Sequence, residues 1–429
     1  MERCCPQLTP STPEIIMRPL PDYKISATSE HVRHALQFTD DIVKNFPDRL
    51  AGSDSCNGAG KTITEEFSLH CDSNSVKRES FAFHPAACVK IVRPLVILYV
   101  IAIVFIFLKM PVVSLFCLLM SLAVFSSQIV FYKKIFDPFF PKAQGYNIFG
   151  IVEPDHDVKQ QIILCGHHDA AYVFHYMALS PRLYPFVVFG GILPFLLGIG
   201  LSIACIIMGS PPWWILFLMA TSFVLVLPLW WFTTDTVSPG AGDNMIAVAL
   251  ANEVTRILAD RKKSGDNSLR HTRIVCLSVD AEESGLRGSM AYVSRHAQEL
   301  AATKSYALCF DTLYKADKLI FFNNDMNLTT DLSDSMANDL TNIAKELGYG
   351  ARVARMPWGG GSTDAAAFAR GGIEATCMLA FDLNVGRLPK DLVYHTLKDT
   401  TNAIEPAMVE QAINVTIDYI LKKDKEISR

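Results

Sequence analysis

Two histidines and five carboxylates, strung along much of the chain, are the side chains best suited to chemistry. His167 and Asp169 sit in CGHHDAAY, Asp243 in PGAGDN, Glu282 and Glu283 in DAEESGLRGS, Asp311 in CFDTL and His395 in YHTLKDT. Imidazole nitrogens and carboxylate oxygens are common metal donors, and the set supplies two imidazoles, several carboxylates and one adjacent carboxylate pair. Such a set is what a two-metal hydrolytic site needs. Singly, each residue has a plainer explanation. A lone histidine is commonly a surface or satisfied core residue, a Glu-Glu pair a solvated charge pair, and an Asp before a helix a cap. The combination is more telling. Gly285 and Gly288 flank the Glu pair, and Asp169 follows His167 at the spacing of an orienting partner.

Four apolar stretches interrupt the set, from about Ile91 to Leu108, Val112 to Tyr132, Leu183 to Met208 and Trp213 to Phe232. Each is long enough to span a bilayer as a helix. Lys109-Met110-Pro111 and Gly209-Ser210-Pro211-Pro212 join them as two hairpins. The alternative is a large buried helical core. Trp213-Trp214 and Trp230-Trp231 argue against it, because they bracket the fourth stretch by roughly 25 Å of helix, as interfacial aromatic belts do. Arg93 lies near the start of the first stretch, where its head can reach the interface. Two hairpins leave every polar segment on one side. That side carries Lys77, Arg78, Lys90, Arg93, Lys133, Lys134 and Arg182 near the spans, against Lys109 alone on the other. The bias predicts a multi-pass membrane protein whose catalytic domain is cytoplasmic.

Composition agrees with an embedded protein. The chain has 429 residues, 50% of them hydrophobic, and a net charge of -4. Its mean hydropathy is +0.24. No basic block suggests nucleic acid. The 11 cysteines lack CxxC spacing and suit buried or free thiols in a reducing compartment. Residues 1–28 are rich in Pro and polar residues, lack the apolar core of a signal peptide, and read as a flexible arm. The predicted division is therefore an arm over 1–28, a first polar segment over 29–90, hairpins over 91–132 and 183–232, and further polar segments over 133–182 and 233–429.

With the hairpins removed, the polar segments read as one α/β domain. Ser75 to Phe83, Asn147 to Glu153, Gln161 to Cys165, Arg273 to Val279, Tyr306 to Phe310 and Ala375 to Ala380 have the character of strands. His31 to Asn45, Ala59 to His70, Asn244 to Ala259, Ser333 to Leu347 and Pro406 to Lys422 read as helices, and Arg261 to Arg270 as a polar loop. His167 and Asp169, Glu282 and Glu283, and Asp311 then each follow a strand, and Asp243 precedes a helix. Ligands gathered beyond the carboxyl ends of strands are the expected geometry of an α/β site. If both hairpins leave from strand tops, the site opens toward the membrane surface.

These motifs resemble metallopeptidase family 28, the co-catalytic dizinc exopeptidases, with the glutaminyl cyclases as relatives. The resemblance runs from about Arg49 to the C-terminus without the hairpins. It rests on Arg49-Leu-Ala-Gly-Ser, the Asn147-Ile-Phe-Gly strand, and the His-x-Asp, Gly-Ala-x-Asp-Asn, Glu-Glu-x-Gly-Leu-x-Gly-Ser and Tyr-His-Thr-x-x-Asp-Thr segments in the family's order. It implies a three-layer zinc-exopeptidase fold with a mixed central sheet, and two zinc ions per chain. His167, Asp243 and Asp311 would hold one zinc; Asp243, Glu283 and His395 would hold the other. Asp169 would orient His167, and Glu282 would be the general base. The loop Trp358-Gly-Gly-Gly-Ser-Thr-Asp364 resembles the family's Ser-Asp-His loop with Ala365 in place of the His, and marks Gly360, Ser362 and Asp364 as a substrate-side wall. The implied activity is that of a membrane-bound aminopeptidase acting on peptides, with the lipid bilayer as its other partner. The sequence does not fix an oligomeric partner. The competing readings are cyclase-like acyl transfer, carboxypeptidase activity, and a non-enzymatic receptor on a peptidase scaffold.

Overall fold

Gln160–His167 is buried at every position and forms an inner strand of the main sheet. The computed structural model describes residues 26–266, 269–382, 388–389 and 391–428. The chain opens with helices α1 (Ser29–Asn45) and α2 (Asp54–Ser68), then strand β1 (Lys77–Phe83). The first apolar pair follows, α3 (Val92–Phe107) and α4 (Pro111–Phe125). Next come β2 (Ala143–Val152), β3 (Gln160–His167), β4 (Tyr172–Phe174) and α5 (His175–Leu179). The second apolar pair is α6 (Leu183–Met208) and α7 (Trp213–Val226). Then come β5 (Thr233–Val237), α8 (Ile246–Lys263), β6 (Thr272–Val279), α9 (Arg287–Arg295), α10 (Ala297–Ala302) and β7 (Lys304–Leu313). The chain closes with β8 (Leu319–Asp325), β9 (Thr330–Asp331), α11 (Asp334–Glu346), β10 (Ala351–Arg355), α12 (Asp364–Arg370), β11 (Glu374–Ala380) and α13 (Pro406–Ile427).

The main sheet is mixed, in the order β1-β2-β6-β3-β7-β11-β8-β10, with β9 beside β8. β6, β3, β7 and β11 run parallel, β2 runs against both its neighbours, and β8 runs against β11 but parallel to β10. β1 is antiparallel to β2 and so points the same way as the central four. One apolar core lies between the sheet and helices that include α1, α2, α8, α11 and α13. A second lies between its other face and α9, α10 and α12. This is the expected three-layer α/β architecture. α8 is the central helix: Ile246 to Thr255 are all buried. It approaches β3 so closely at Gly166 that a Cβ there would stand 2.8 Å from the backbone nitrogen of Val248.

The segments containing the four apolar stretches form helices long and apolar enough to cross a membrane, over Val89–Phe107, Pro111–Val130, Leu183–Met208 and Trp213–Trp231. They pack into a bundle with its own core. Large apolar side chains such as Val104, Phe116, Phe186, Ile207, Phe217 and Val224 cover its outside. So large an exposed apolar surface marks an interaction with something apolar. Arg93, at the bundle's polar end, donates to the Trp230 carbonyl over 3.3 Å and sits 5.8 Å from that indole ring. β1 ends at Phe83 and β3 at His167, so both pairs of apolar helices leave from the same end of the sheet.

Several expectations shift. The helix expected from Asn244 begins at Ile246, because Asp243 and Asn244 are non-helical, with φ of -129° and -146°. It runs on to Lys263 and takes in the start of the stretch read as a loop over Arg261 to Arg270. α2 begins at Asp54 because the Ser53 hydroxyl caps it by accepting from the Cys56 N–H. The arm expected over residues 1–28 lies outside the described residues up to residue 25. Its last residues are docked: Ala27 is buried and its N–H donates to Asn414 Oδ1 over 2.7 Å. Strand β8 was not expected, because its LIFFNND run ends in polar residues and breaks the apolar pattern. Nor was the small β4-β5 sheet, whose strands are short and, in β5, polar.

Candidate metal centre

The cluster is assembled at the end of the sheet from which the apolar helices leave. His167 is the last residue of β3. Its Nδ1 faces Asp169, 3.3 Å from Oδ1 and 3.2 Å from the backbone carbonyl. That leaves Nε2 turned inward, 3.5 Å from Asp243 Oδ1 and 3.7 Å from Glu282 Oε2. Asp169 has a second task that its spacing does not reveal. Its two carboxylate oxygens accept the N–H groups of Glu282 and Glu283 over 3.2 and 3.1 Å. One carboxylate therefore fixes both the histidine and the Glu pair.

The Glu pair sits on a tight turn after β6, with Ala281, Gly285 and Leu286 at φ of 60°, 93° and 62°. Gly288 closes the turn; a Cβ there would fall 1.9 Å from the Asp280 carbonyl oxygen. Asp243 projects from the irregular turn Ala241–Met245 ahead of α8. Asp311 does not follow its strand as expected. It lies within β7, where the pairing with β11 bulges between Met378 and Ala380, and the Thr312 hydroxyl donates to its Oδ1 over 2.7 Å. The bulge turns an inner-strand carboxylate toward the cluster. His395 has a left-handed φ of 53° and stacks on Tyr394 at 4.0 Å, with Phe174 edge-on at 4.3 Å. Its Nε2 lies 3.0 Å from Asp243 Oδ2 and 3.1 Å from Glu283 Oε1.

Ligand-type atoms of His167, Asp243 and Asp311 all lie within 4.8 Å of one another, as do those of Asp243, Glu283 and His395. The two groups share Asp243. Residues expected from separate motifs thus meet in two adjoining triads. The donor set fits zinc by type, and it leaves buried polar atoms over: His167 Nε2 is among those with no hydrogen-bond partner among the described residues. Electrostatics point the same way. Burial raises the Asp311 carboxyl to about 8, with the Asp243 charge adding to it. Burial also raises Glu282 well above the usual range, with Glu283 and Asp311 adding and His167 opposing. Burial works against the charge on His395, yet the Glu283 and Asp243 carboxylates lift it to about 10. Burial disfavours the Asp243 charge, but the two histidines outweigh it and hold Asp243 below the usual range. Crowded carboxylates that draw protons onto neighbours form a place where bound positive charge is stabilised.

Two supports escaped the motif reading. Asp399 accepts the N–H groups of Gly242 and Asp243 over 2.7 and 3.2 Å, and so fixes the turn that carries the shared carboxylate. Arg49 is buried and donates to the carbonyls of Phe46, His168, Pro239 and Gly240 over 2.9 to 3.3 Å. It ties the His167 loop to the Asp243 loop. Both lie in segments quoted for the family resemblance, but only the contacts assign their tasks. His168, one residue from the cluster, faces away: its Nδ1 lies 2.8 Å from Ser278 Oγ, and burial lowers its pKa to about 3.

A cavity of about 300 Å³ opens from the cluster. Asp243, Glu282, Glu283, Asp311 and His395 line one end, and side chains of both apolar pairs line the rest. Gly360 and Ser362 stand on its wall, whereas Asp364, at the start of α12, is buried outside the lining. The loop is tethered by Asn327. Its Oδ1 accepts from Gly359 N over 3.0 Å, its N–H donates to the Gly361 carbonyl over 3.1 Å, and its Nδ2 donates to the Ile129 carbonyl over 3.3 Å.

Residues 229–420 match the sequence profile of Peptidase family M28. Over that segment the chain is similar to that family. The match begins where the second apolar pair ends and covers Asp243, the Glu pair, Asp311 and His395. Solved structures share the fold over nearly the whole chain. A Zn-dependent exopeptidase from Parabacteroides distasonis superposes with a TM-score of 0.54 at 13% identity, covering 94% of this chain and 99% of its own. A zinc aminopeptidase from Bacillus subtilis gives 0.55 at 14%, covering 95% and 96%. A glutaminyl cyclase from Bacteroides thetaiotaomicron, bound to N-acetylhistamine, gives 0.55 at 12%, covering 94% and 99%. No curated protein sequence matches.

Proposed function

We propose that this chain is a membrane-embedded dizinc aminopeptidase of the M28 kind, removing N-terminal residues from peptides. The observation that carries the reading is the pair of triads sharing Asp243, with Glu282 beside them. His167, Asp243 and Asp311 would hold one zinc ion and Asp243, Glu283 and His395 the other. When bound, zinc supplies an acidified water and Lewis acidity toward the scissile carbonyl. The chain's own groups do the rest. Asp169 sets the ring orientation of His167. Glu282 takes a proton on its free carboxylate and returns it to the leaving amine, and the raised proton affinity that burial gives it suits that exchange. Gly360 and Ser362 form a substrate-side wall.

Cyclase-like acyl transfer is the nearest competitor, since cyclases share the fold. A complete second triad favours a two-metal hydrolase over it. Carboxypeptidase activity needs a cation for the substrate's carboxylate, and among the described residues no Lys or Arg lines the cavity. The apolar outer surface of the bundle supports a transmembrane placement. The excess of basic residues at its domain end supports a catalytic domain facing the cytoplasm. The test is to purify the full chain in detergent, count bound metal, and compare leucyl peptides with and without a blocked amine. Two zinc ions per chain and cleavage of the free-amine peptide alone support the reading. One ion per chain, or equal cleavage of the blocked peptide, overturns it.

A further inference from the structure

The apolar part of the cavity is a split seam between two of the membrane-type helices. α4 and α6 are closed together along their far halves. There Ser114 Oγ and Ser202 Oγ lie 3.2 Å apart, and Leu118 packs so tightly on Gly198 that a Cβ there would stand 3.0 Å away. Toward the metal centre the contact gives way to space. Leu122 and Phe125 of α4, and Val188, Ile192 and Leu196 of α6, line the cavity. Leu193 and Leu197 share a helix face with Leu196. They are 59% and 42% exposed and lie outside the cavity lining, while Leu196 is 51% exposed and lies within it. The crevice therefore reaches the bundle's apolar outer surface at Leu196.

A short soluble peptide has no use for such an opening. Its flanking residues would meet hydrocarbon-like walls and leave their backbone groups unpaired. A single alkyl chain fits it well, because it needs no hydrogen bonds and can pass in from the lipid side. The charges are at the other end, where the carboxylates gather. Among the described wall residues there is no Lys or Arg to partner an anionic head group.

We propose that the preferred substrate is a single-chain amphiphile, an aminoacyl amide of a long-chain amine. Its aminoacyl end reaches the metal centre and its hydrocarbon tail lies in the crevice between α4 and α6. The proposal rests on the aminopeptidase reading for the chemistry and on the crevice alone for the tail. Hydrolysis consumes water, breaks the amide bond, and releases a free amino acid and a long-chain amine.

Two measurements on the full chain in detergent separate the two. The first is photolabelling of Glu282→Gln, and of the wild type held on ice, with a leucine dodecylamide bearing a diazirine at the tail end. The proposal expects adducts within residues 118–125 and 188–199, at least tenfold reduced by excess unlabelled leucine dodecylamide and much less reduced by leucine ethylamide at the same concentration. Adducts spread over outer positions such as Val104 and Val224, without competition, overturn it. The second is the ratio of kcat/KM for the dodecylamide to that for the ethylamide at equal mole fraction in the micelle. Leu122→Trp, which fills the crevice, is expected to lower that ratio at least tenfold, and an unchanged ratio counts against the tail site. Specific crevice labelling with neither amide cleaved sinks the aminopeptidase reading and leaves the tail site standing. Equal cleavage of both amides without crevice labelling does the reverse.

Discussion

Replacing Arg49 tests whether the two ligand loops are held by one buried guanidinium. Arg49 is 1% exposed, and its hydrogen bonds run to backbone carbonyls in three separate segments: Phe46, His168, and Pro239 with Gly240. Hydrogen bonds from a charged donor contribute about 1.5–3 kcal/mol each. Burying the cation costs several kcal/mol in return. The net loss expected for Arg49→Met, which keeps much of the volume, is about 3 kcal/mol, or roughly 5 °C in Tm for a domain of this size. Arg49→Lys is the sharper variant. It keeps the buried charge, but a point ammonium cannot reach three segments as a planar fork does. It is expected to be no more stable than Arg49→Met. Because His168 and Gly240 flank the loops that carry His167 and Asp243, zinc affinity should also fall, by about 10–100-fold. Thermal unfolding and competition with a zinc chelator measure the two effects. An Arg49→Lys protein with wild-type Tm and wild-type zinc retention would refute the clamp.

Asp399→Asn keeps one acceptor for the Asp243 turn but sets an amide NH2 against the other N–H, and is expected to cost about 1–3 kcal/mol. Chelator competition should show zinc binding weakened while circular dichroism stays native. Gly166→Ala drives a methyl into the α8 backbone 2.8 Å away, with no flexible side chain able to yield. It is expected to destabilise by about 1–3 kcal/mol or more, read as a lower Tm or lost expression. Asp418 on α13 is partly buried, and burial, with Glu346 adding, lifts its carboxyl to about 6. A raised carboxyl favours the folded state only while protonated, so stability is lost as pH rises from about 4 through 6. Asp418→Asn should therefore raise Tm at pH 7.5 and give no gain at pH 4. After discounting for its contact with water the expected gain is about 1 kcal/mol, and a gain independent of pH would contradict the assignment.

The strands that carry the site were legible because they are buried on both faces and so form short continuous apolar runs, as Gln160–His167 does. The four long apolar helices were legible because each is apolar around its circumference over a length sufficient to cross a membrane. Asp311 was misplaced because a bulge is set by pairing with another strand, and nothing in CFDTL marks it. The start of α8 was misread for a similar reason. Asn244 looks like a helix opener, but its side chain donates to the Phe310 carbonyl over 2.8 Å and the chain turns helical only later. Arg49, Asp399 and Asn327 act through backbone atoms of distant segments, a kind of contact with no spacing to read. The crevice was the least visible feature, since it depends on where two apolar helices part.

The central claim is that one free carboxylate beside two shared-ligand triads moves the proton during hydrolysis. It is tested most directly by the initial rate on a free-amine leucyl peptide for zinc-replete Glu282→Gln against wild type, with metal content measured on the same samples. Equal zinc in both, with the rate reduced by about 100-fold or more in the variant, is the predicted result. Equal zinc and an undiminished rate would contradict it.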